Sequence, residues 1–312
     1  MSVEQVREQV RLNLNRWLLF KREAETITMR ALLKAILETL GLLGPARKLQ
    51  ALLKRQVRLN LNRWLLFKNR VAGKSYAHFY EEMMDRRATR GAFLSKTARM
   101  VTGSPDQPRR QFAVKFLGRM GYLRPDSTLL DYGCGAVTTG VNFIKYLEPG
   151  KYYGADVSSK TLEVGRQWIG EYGLEDKRPT LIHLPGGSLA NLPDVKFDVI
   201  FAQDVASHMP AEDIQALLGN LVPYMHRDSV LLATYSHTDQ DIEYERDVVN
   251  WKYNISFFER IVRDLPLDCA VVEDWKGEEY KGVGHNKMVK FTRRDAAERE
   301  RAGTEAAALR VR

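Results

Sequence analysis

Beyond Ser75 the chain alternates between two kinds of segment. Short apolar runs fall at Thr128–Tyr132, Tyr152–Asp156, Thr180–His183, Phe197–Ala202 and Ser229–Thr234. Stretches with helical spacing lie around them, at Tyr76–Arg87, Arg109–Met120, Ser159–Tyr172 and Ala211–Met225. Near-continuous apolar runs suit strands buried on both faces, and strand–helix alternation predicts a parallel sheet with helices packed on each side. Two further runs, Cys269–Trp275 and Asn286–Thr292, are separated only by a loop, so they are expected to finish the sheet as an antiparallel pair.

Within that alternation, "LLDYGCGAVTTG" (Leu129–Gly140) is the most informative stretch. A strand ends at Asp131, Gly133-Cys134-Gly135 forms a turn, and a helix is expected to begin near Thr138. Glycines allow a sharp turn and a close approach of ligand to main chain. The bland alternative is a tight strand-to-helix turn with no ligand. Asp156, ending the next strand, adds a carboxylate at the same sheet edge, placed to accept hydrogen bonds from ribose hydroxyls. Together they point to a nucleoside-containing cofactor. Dinucleotide binders carry a third glycine three residues after the second; here that position is Thr138, and the next glycine is Gly140.

The run Asp131-x-Gly133-x-Gly135 instead resembles motif I of the class I S-adenosylmethionine-dependent methyltransferases. Val195–Tyr235 resembles that family's fourth strand, the loop and helix after it, and its fifth strand, and the closing strand pair is similar too. The resemblance covers roughly Tyr76–Thr292. It implies a Rossmann-like, mostly parallel seven-stranded sheet with an antiparallel last strand, preceded by an α-helical N-terminal segment. It also implies S-adenosyl-L-methionine as cofactor. The glycine turn would pack on its methionine part, Asp131 would help to hold that end, Asp156 would bind the ribose hydroxyls, and Val157 would also contact the cofactor. The family's acidic contact to the adenine amino group is replaced here by Ser188, so the adenine contacts expected are the Ser188 hydroxyl and the Leu189 backbone N–H. Gln203 and Asp204, ending strand four, would line the junction of cofactor and acceptor.

Methyl transfer is an in-line displacement in which positioning dominates, and a base is needed only if the acceptor must lose a proton. His208, just after strand four, is the leading candidate; the competing view is a structural histidine. His237 and His285 lie on the same expected sheet edge. The histidines show no metal-ligand spacing, so no metal is expected. Tyr76, His78, Phe79 and Tyr80 form an aromatic cluster that would either close over the cofactor or pack as core. Tyr244, Trp251 and Tyr253, after strand five, are candidate acceptor contacts, with ordinary core as the alternative.

Charge is uneven. Residues 1–74 hold 16 Lys/Arg against 5 Asp/Glu, while the remainder is near balance, within a chain of net charge +9. The expected division is a basic helical segment 1–74, the catalytic domain 75–293 and a charged tail 294–312. The basic segment contains "QVRLNLNRWLLFK" twice, at Gln9–Lys21 and Gln56–Lys68. Identity with abrupt borders suggests a recent duplication or an artefact. Either copy would make a basic helix with an aromatic-rich apolar side, suited to an anionic membrane interface or to packing against another helix or a second subunit. Two cysteines, no apolar run of the ~20 residues that span a bilayer, and no secretory-signal pattern suggest a cytoplasmic protein, with peripheral membrane attachment as an option. The acceptor expected is a small molecule, a lipid-linked group or a glycan, methylated at oxygen or nitrogen. "AQDVASHMP" after strand four is unlike the Pro-Pro-aromatic motif of amino-directed DNA methylation. RNA methylation stays open, as does a catalytically silent interaction domain.

Overall fold

The computed structural model describes residues 43–88, 105–244, 249–276 and 286–294. The chain divides into two compact units, Met1–Leu61 and Asn62–Arg312. The described part of the first is the opening of helix α1 (Leu43–Val71), whose first turn contains Pro45. Proline is tolerated there because its missing N–H would lack an intrahelical partner anyway. The first copy of the repeated segment lies outside the described residues; the second lies in α1.

The second unit contains a seven-stranded sheet in the order β3-β2-β1-β4-β5-β9-β8. Its strands are β1 (Leu129–Tyr132), β2 (Tyr152–Asp156), β3 (Thr180–His183), β4 (Phe197–Ala202), β5 (Met225–Ser236), β8 (Leu267–Val271) and β9 (Asn286–Arg293). β1 to β5 run parallel, and β9 is antiparallel to both β5 and β8. The expected Rossmann-like sheet with an antiparallel last strand is therefore present. A small antiparallel hairpin, β6 (Ile242–Tyr244) and β7 (Trp251–Tyr253), stands apart from it. Helices α2 (Tyr76–Arg87), α3 (Pro108–Arg119), α4 (Gly140–Tyr146), α5 (Ser159–Glu171), α6 (Ala211–Leu221) and α7 (Ile255–Ile261) surround it.

Strand periodicity builds a core on each face. Leu129, Val199, Phe201 and Leu232 pack on one side with Phe112, Phe116, Phe143 and Trp275. Leu130, Ile200, Ala202 and Leu231 pack on the other with Ile214, Leu218, Phe257 and Phe258. Both faces are covered, which is why the strands read as unbroken apolar runs. The helix expected to reach Met225 ends instead at Leu221, followed by a 3₁₀ turn at Val222–Tyr224. Pro223 explains this: it lacks an N–H and would clash with the preceding helical turn. Met225 then opens β5, opposite Phe197. Likewise the run expected to continue to Trp275 leaves the sheet at Val271, and Trp275 is buried against Phe112 and Phe116.

Strand order reverses between β1 and β4, which leaves a crevice beyond the carboxyl ends of the strands at that point. Residues following β1, β2 and β4 meet there.

Candidate active site

That crevice holds a cavity of about 460 Å³. Gly133, Gly135, Asp156, Val157, Leu189, Gln203, Asp204 and His208, all named from sequence, line it. So do Tyr76, Tyr80 and Met84, which recur every four residues along one face of α2. Of the cluster at the start of α2, Phe79 is core, and His78 is exposed, its ring nitrogen 2.8 Å from the Ser75 hydroxyl.

The glycine turn hangs on β2, Gly133 N–H and Cys134 N–H both donating to the Ala155 carbonyl. Gly133 (φ 72°) and Gly135 (φ 54°) are left-handed, but their surroundings differ. A Cβ on Gly133 would lie 2.4 Å from Val205 Cγ2, whereas one on Gly135 would have nothing within 4 Å. A side chain at Gly133 therefore strikes the protein's own β4 loop rather than a ligand; the open cradle is at Gly135. Gly133→Ala is expected to lower stability by a few kcal/mol, the left-handed backbone contributing ~1–2 and the overlap ~1–3 kcal/mol. Val205→Ala in the same chain should restore part of that loss in urea melts; additive losses would show that Val205 is not the obstacle.

Asp156 is the hub of the turn. Oδ2 accepts from Gly135 N–H at 2.9 Å, and Oδ1 accepts from Ser158 N–H at 2.8 Å and the Thr161 hydroxyl at 3.2 Å. A carboxylate offers about four acceptor positions, so one on Oδ2 is left for an incoming hydroxyl. Burial raises its pKa, and the Ser158 and Gly135 N–H groups oppose that rise.

Asp131 does not line the cavity. It is buried behind the turn, accepting from the Tyr152 hydroxyl at 2.8 Å. Burial pushes its carboxyl up to about 7, against the pull of that hydrogen bond. A carboxyl whose folded pKa exceeds its unfolded value keeps a proton that the unfolded chain has released. Its contribution to stability is thus lost as pH rises from about 4 to about 7, at up to ~1.4 kcal/mol per pH unit. Asp131→Asn should flatten that decline, a difference read from thermal midpoints at pH 4.5 and 7.5; parallel curves for the two proteins would refute it.

Ser188 also departs from expectation. It is exposed, outside the cavity lining, and its hydroxyl accepts from Ala190 N–H to cap the 3₁₀ turn Leu189–Asn191. A serine at the start of a helical turn serves its own backbone. Gly186 and Gly187 line the cavity on that side.

At the end of β4, Asp204 is left-handed (φ 60°), its N–H donating to the Thr234 hydroxyl at 2.7 Å. Gln203 Oε1 accepts from Thr139 Oγ1, which in turn accepts from Arg110. His208 Nδ1 lies 2.8 Å from the Val249 carbonyl, and its ring stacks on Tyr80 at a centroid distance of 5.8 Å. A carbonyl only accepts, so Nδ1 carries a proton, and in the neutral tautomer that leaves Nε2 as an acceptor. His237 pairs instead with Asp239 (3.6 Å) outside the cavity lining, and His285 lies outside the described residues. Tyr253 is fully buried, its hydroxyl donating to the Met209 carbonyl; the Tyr244 side chain is outside the described residues. Trp251 meets Tyr76 edge-on at 5.2 Å.

Sequence reasoning missed the clasp that holds α2 over the crevice. Glu81 accepts from Gly186 N–H at 2.8 Å and approaches His183 Nε2 at 3.1 Å, while Asp85 accepts from the Ser158 hydroxyl at 2.6 Å. These partners are far apart in sequence, so no local pattern announces them.

Three carboxylates, Asp156, Asp204 and Asp213, line the cavity, and among the described residues no Lys or Arg does. Together with the strand order and the glycine turn, they place an acidic cavity at the carboxyl edge of a Rossmann-like sheet. Residues 130–231 match the family described as a methyltransferase domain. S-adenosylmethionine is the cofactor of the methyltransferases that the sequence resembles. A probable methyltransferase, ltbC, of Aspergillus luteorubrus is 31% identical over 96 residues, covering 30% of this chain and 34% of that protein. An uncharacterized protein of Haemophilus influenzae is 34% identical over 111 residues, covering 35% of this chain and 42% of the relative. The chain thus matches well under half the length of these curated relatives. Among solved structures, magnesium protoporphyrin IX methyltransferase (ChlM) of Synechocystis PCC 6803 with bound SAM is 20% identical at a TM-score of 0.46, covering 61% of this chain and 80% of that one. Among the described residues no cluster of potential metal ligands occurs.

Proposed function

We propose that the protein transfers a methyl group from S-adenosylmethionine to an oxygen or nitrogen of a small-molecule, lipid-linked or glycan acceptor. The observation that carries this reading is the acidic cavity at the strand-order reversal. Its carboxylates suit a ligand that bears a sulfonium and an ammonium group. The space over Gly135, where an added Cβ would meet nothing within 4 Å, leaves room for a ligand against the backbone. When bound, S-adenosylmethionine supplies an electrophilic methyl group.

Each residue then has a task. The Gly133–Gly135 turn and Val157 bound the cofactor, and the spare acceptor position of Asp156 takes a ribose hydroxyl. Leu189 packs at the adenine end. Gln203 and Asp204 fix the boundary with the acceptor. α2 screens the reacting centre from water, held there by Glu81 and Asp85. His208 Nε2 takes the proton of an acceptor hydroxyl or amine as the new bond to carbon forms. Asp131 supports the turn from behind. Calorimetric titration with S-adenosylmethionine and S-adenosylhomocysteine tests the cofactor site, and labelled methyl transfer into fractionated lipid, glycan, RNA and small-molecule pools tests the acceptor. Absence of cofactor binding would leave a silent interaction domain; label confined to RNA would replace the acceptor class.

A second element of the proposal concerns location. No helix among the described residues is long and apolar enough to cross a membrane. On α1, however, Trp64, Phe67 and Val71 are 53%, 66% and 72% exposed, with Arg63 and Arg70 also exposed. Leu65 and Asn69 face the other way, Asn69 donating to Glu82 at 3.1 Å beside the Lys68–Glu82 pair. An aromatic stripe among cations suits an anionic membrane surface, where each near-surface Lys or Arg contributes ~1 kcal/mol. Co-sedimentation with anionic vesicles at low salt should fall on Trp64→Glu/Phe67→Glu. If both proteins stay in the supernatant and the unaltered one sediments as a dimer, the stripe is a subunit contact.

A further inference from the structure

A second cavity, of about 490 Å³, adjoins the first. The end of α1, the link into α2, the first turn of α6 and the β6–β7 hairpin form its walls. Tyr76 and Asp213 belong to both cavities and so make the partition between them.

Its polarity is divided. Arg70 and Lys74 stand on one side, and Glu212 and Asp213, in the first turn of α6, stand on the other. The two cations are brought together by the way α1 ends. Gly73 is left-handed (φ 67°), its N–H donates to the Arg70 carbonyl at 3.0 Å, and Lys74 N–H donates to the Asn69 carbonyl at 2.9 Å. This paired closure fixes the chain direction after the helix. Neighbouring Lys68 is taken up by Glu82, whereas among the described residues Arg70 and Lys74 have no ion pair. Between the charged sides, the edge-to-face contact of Tyr76 with Trp251 presents an aromatic surface.

Resting on the methyltransferase reading above, we propose that this second cavity is the acceptor subsite, and that it selects a small molecule with an aromatic or apolar body and an anionic group remote from the atom that is methylated. Arg70 and Lys74 hold the anion, and Tyr76 and Trp251 hold the body. The reacting end passes Asp213 toward His208. The direction is set by electrostatics. The cofactor cavity is lined by carboxylates, so an anionic end is repelled from it and drawn to Arg70 and Lys74 on the neighbouring wall. Such charges contribute orientation and selectivity more than raw affinity.

The test uses the full chain saturated with S-adenosylhomocysteine and three probes of one shape: 2-naphthalenesulfonate, 2-naphthalenemethanol and 2-naphthylmethylamine. Calorimetry should show the sulfonate binding about tenfold or more tighter than the alcohol, with the amine weakest. Arg70→Glu/Lys74→Glu should abolish or reverse that order while the S-adenosylhomocysteine affinity stays within about twofold, since neither residue lines the cofactor cavity. Trp251→Ala should weaken the sulfonate and the alcohol alike. Equal binding of the three probes overturns the assignment. So does an anion preference that survives the double charge reversal, or one that vanishes instead on Trp64→Ala/Phe67→Ala, which would place the probe on the exposed stripe of α1. Failure of the unaltered protein to bind S-adenosylhomocysteine overturns the methyltransferase reading and this assignment with it; cofactor binding without anion preference overturns this assignment alone.

Discussion

Asp156→Ala is expected to weaken S-adenosylmethionine binding by roughly ten- to a hundredfold, the ~1.5–3 kcal/mol of a hydrogen bond to a charged acceptor. The structure adds a second consequence. The same carboxylate accepts from Gly135 N–H and Ser158 N–H, so its removal takes the acceptor from both and loosens the turn itself, while the Thr161 hydroxyl keeps the Ser158 carbonyl at 2.9 Å. A stability loss of about 1–3 kcal/mol should accompany the binding loss. Asp156→Asn separates the two. It keeps one acceptor for Ser158 and Thr161 but turns an amide N–H₂ toward Gly135 N–H or toward the ribose. Cofactor affinity should therefore fall nearly as far as in the alanine variant, with a smaller shift of the melting temperature. Calorimetric titration paired with thermal melts reads both quantities. Full affinity in a folded Asp156→Ala protein would remove this residue from the cofactor site.

How much of this was legible in the sequence depends on the range of the interactions. Strands β1 to β5 and the glycine turn were readable because burial on both sheet faces forces apolar runs, and because glycine takes up the left-handed backbone at residues 133 and 135 with no steric cost. The antiparallel finish followed from loop length, since a parallel pair needs a long crossover. The end of α6 was misplaced because amphipathic spacing runs past Leu221, and Pro223 overrides it. Ser188 was assigned to a ligand by analogy of position, yet a hydroxyl at the head of a short helical turn finds its nearest donor in its own backbone. Val205 as the neighbour of Gly133, and Glu81 and Asp85 as the clasp of α2, were not legible at all. Each contact joins residues between 70 and 110 positions apart, as with Ser158–Asp85 and Gly186–Glu81, and nothing in the local sequence of either partner announces the other. Trp251 and Tyr253 carried the same signal in sequence. Only packing separates them, the first onto Tyr76 at the second cavity and the second into the core.

The histidine after β4 offers the sharpest division between chemistry and structure. His208→Ala should leave cofactor affinity near that of the unaltered protein, because Asp156 and the glycine turn are untouched. Turnover should fall by about 10²-fold if His208 is the general base, and the residual activity should climb with pH as more of the acceptor loses its proton unaided. A structural histidine would also cost activity, by releasing the loop that carries Val249, so alanine alone does not decide. His208→Asn does. Its amide N–H₂ sits near the place of Nδ1–H and can still donate to the Val249 carbonyl, which now takes that bond at 2.8 Å. Nothing in asparagine replaces Nε2. If the histidine is a base, Asn is as slow as Ala and shows the same rise with pH. If it is a strut, Asn recovers most of the activity with the pH profile unchanged. The same comparison bears on the acceptor, since an acceptor that arrives already deprotonated needs no base, and both variants would then turn over at close to the normal rate.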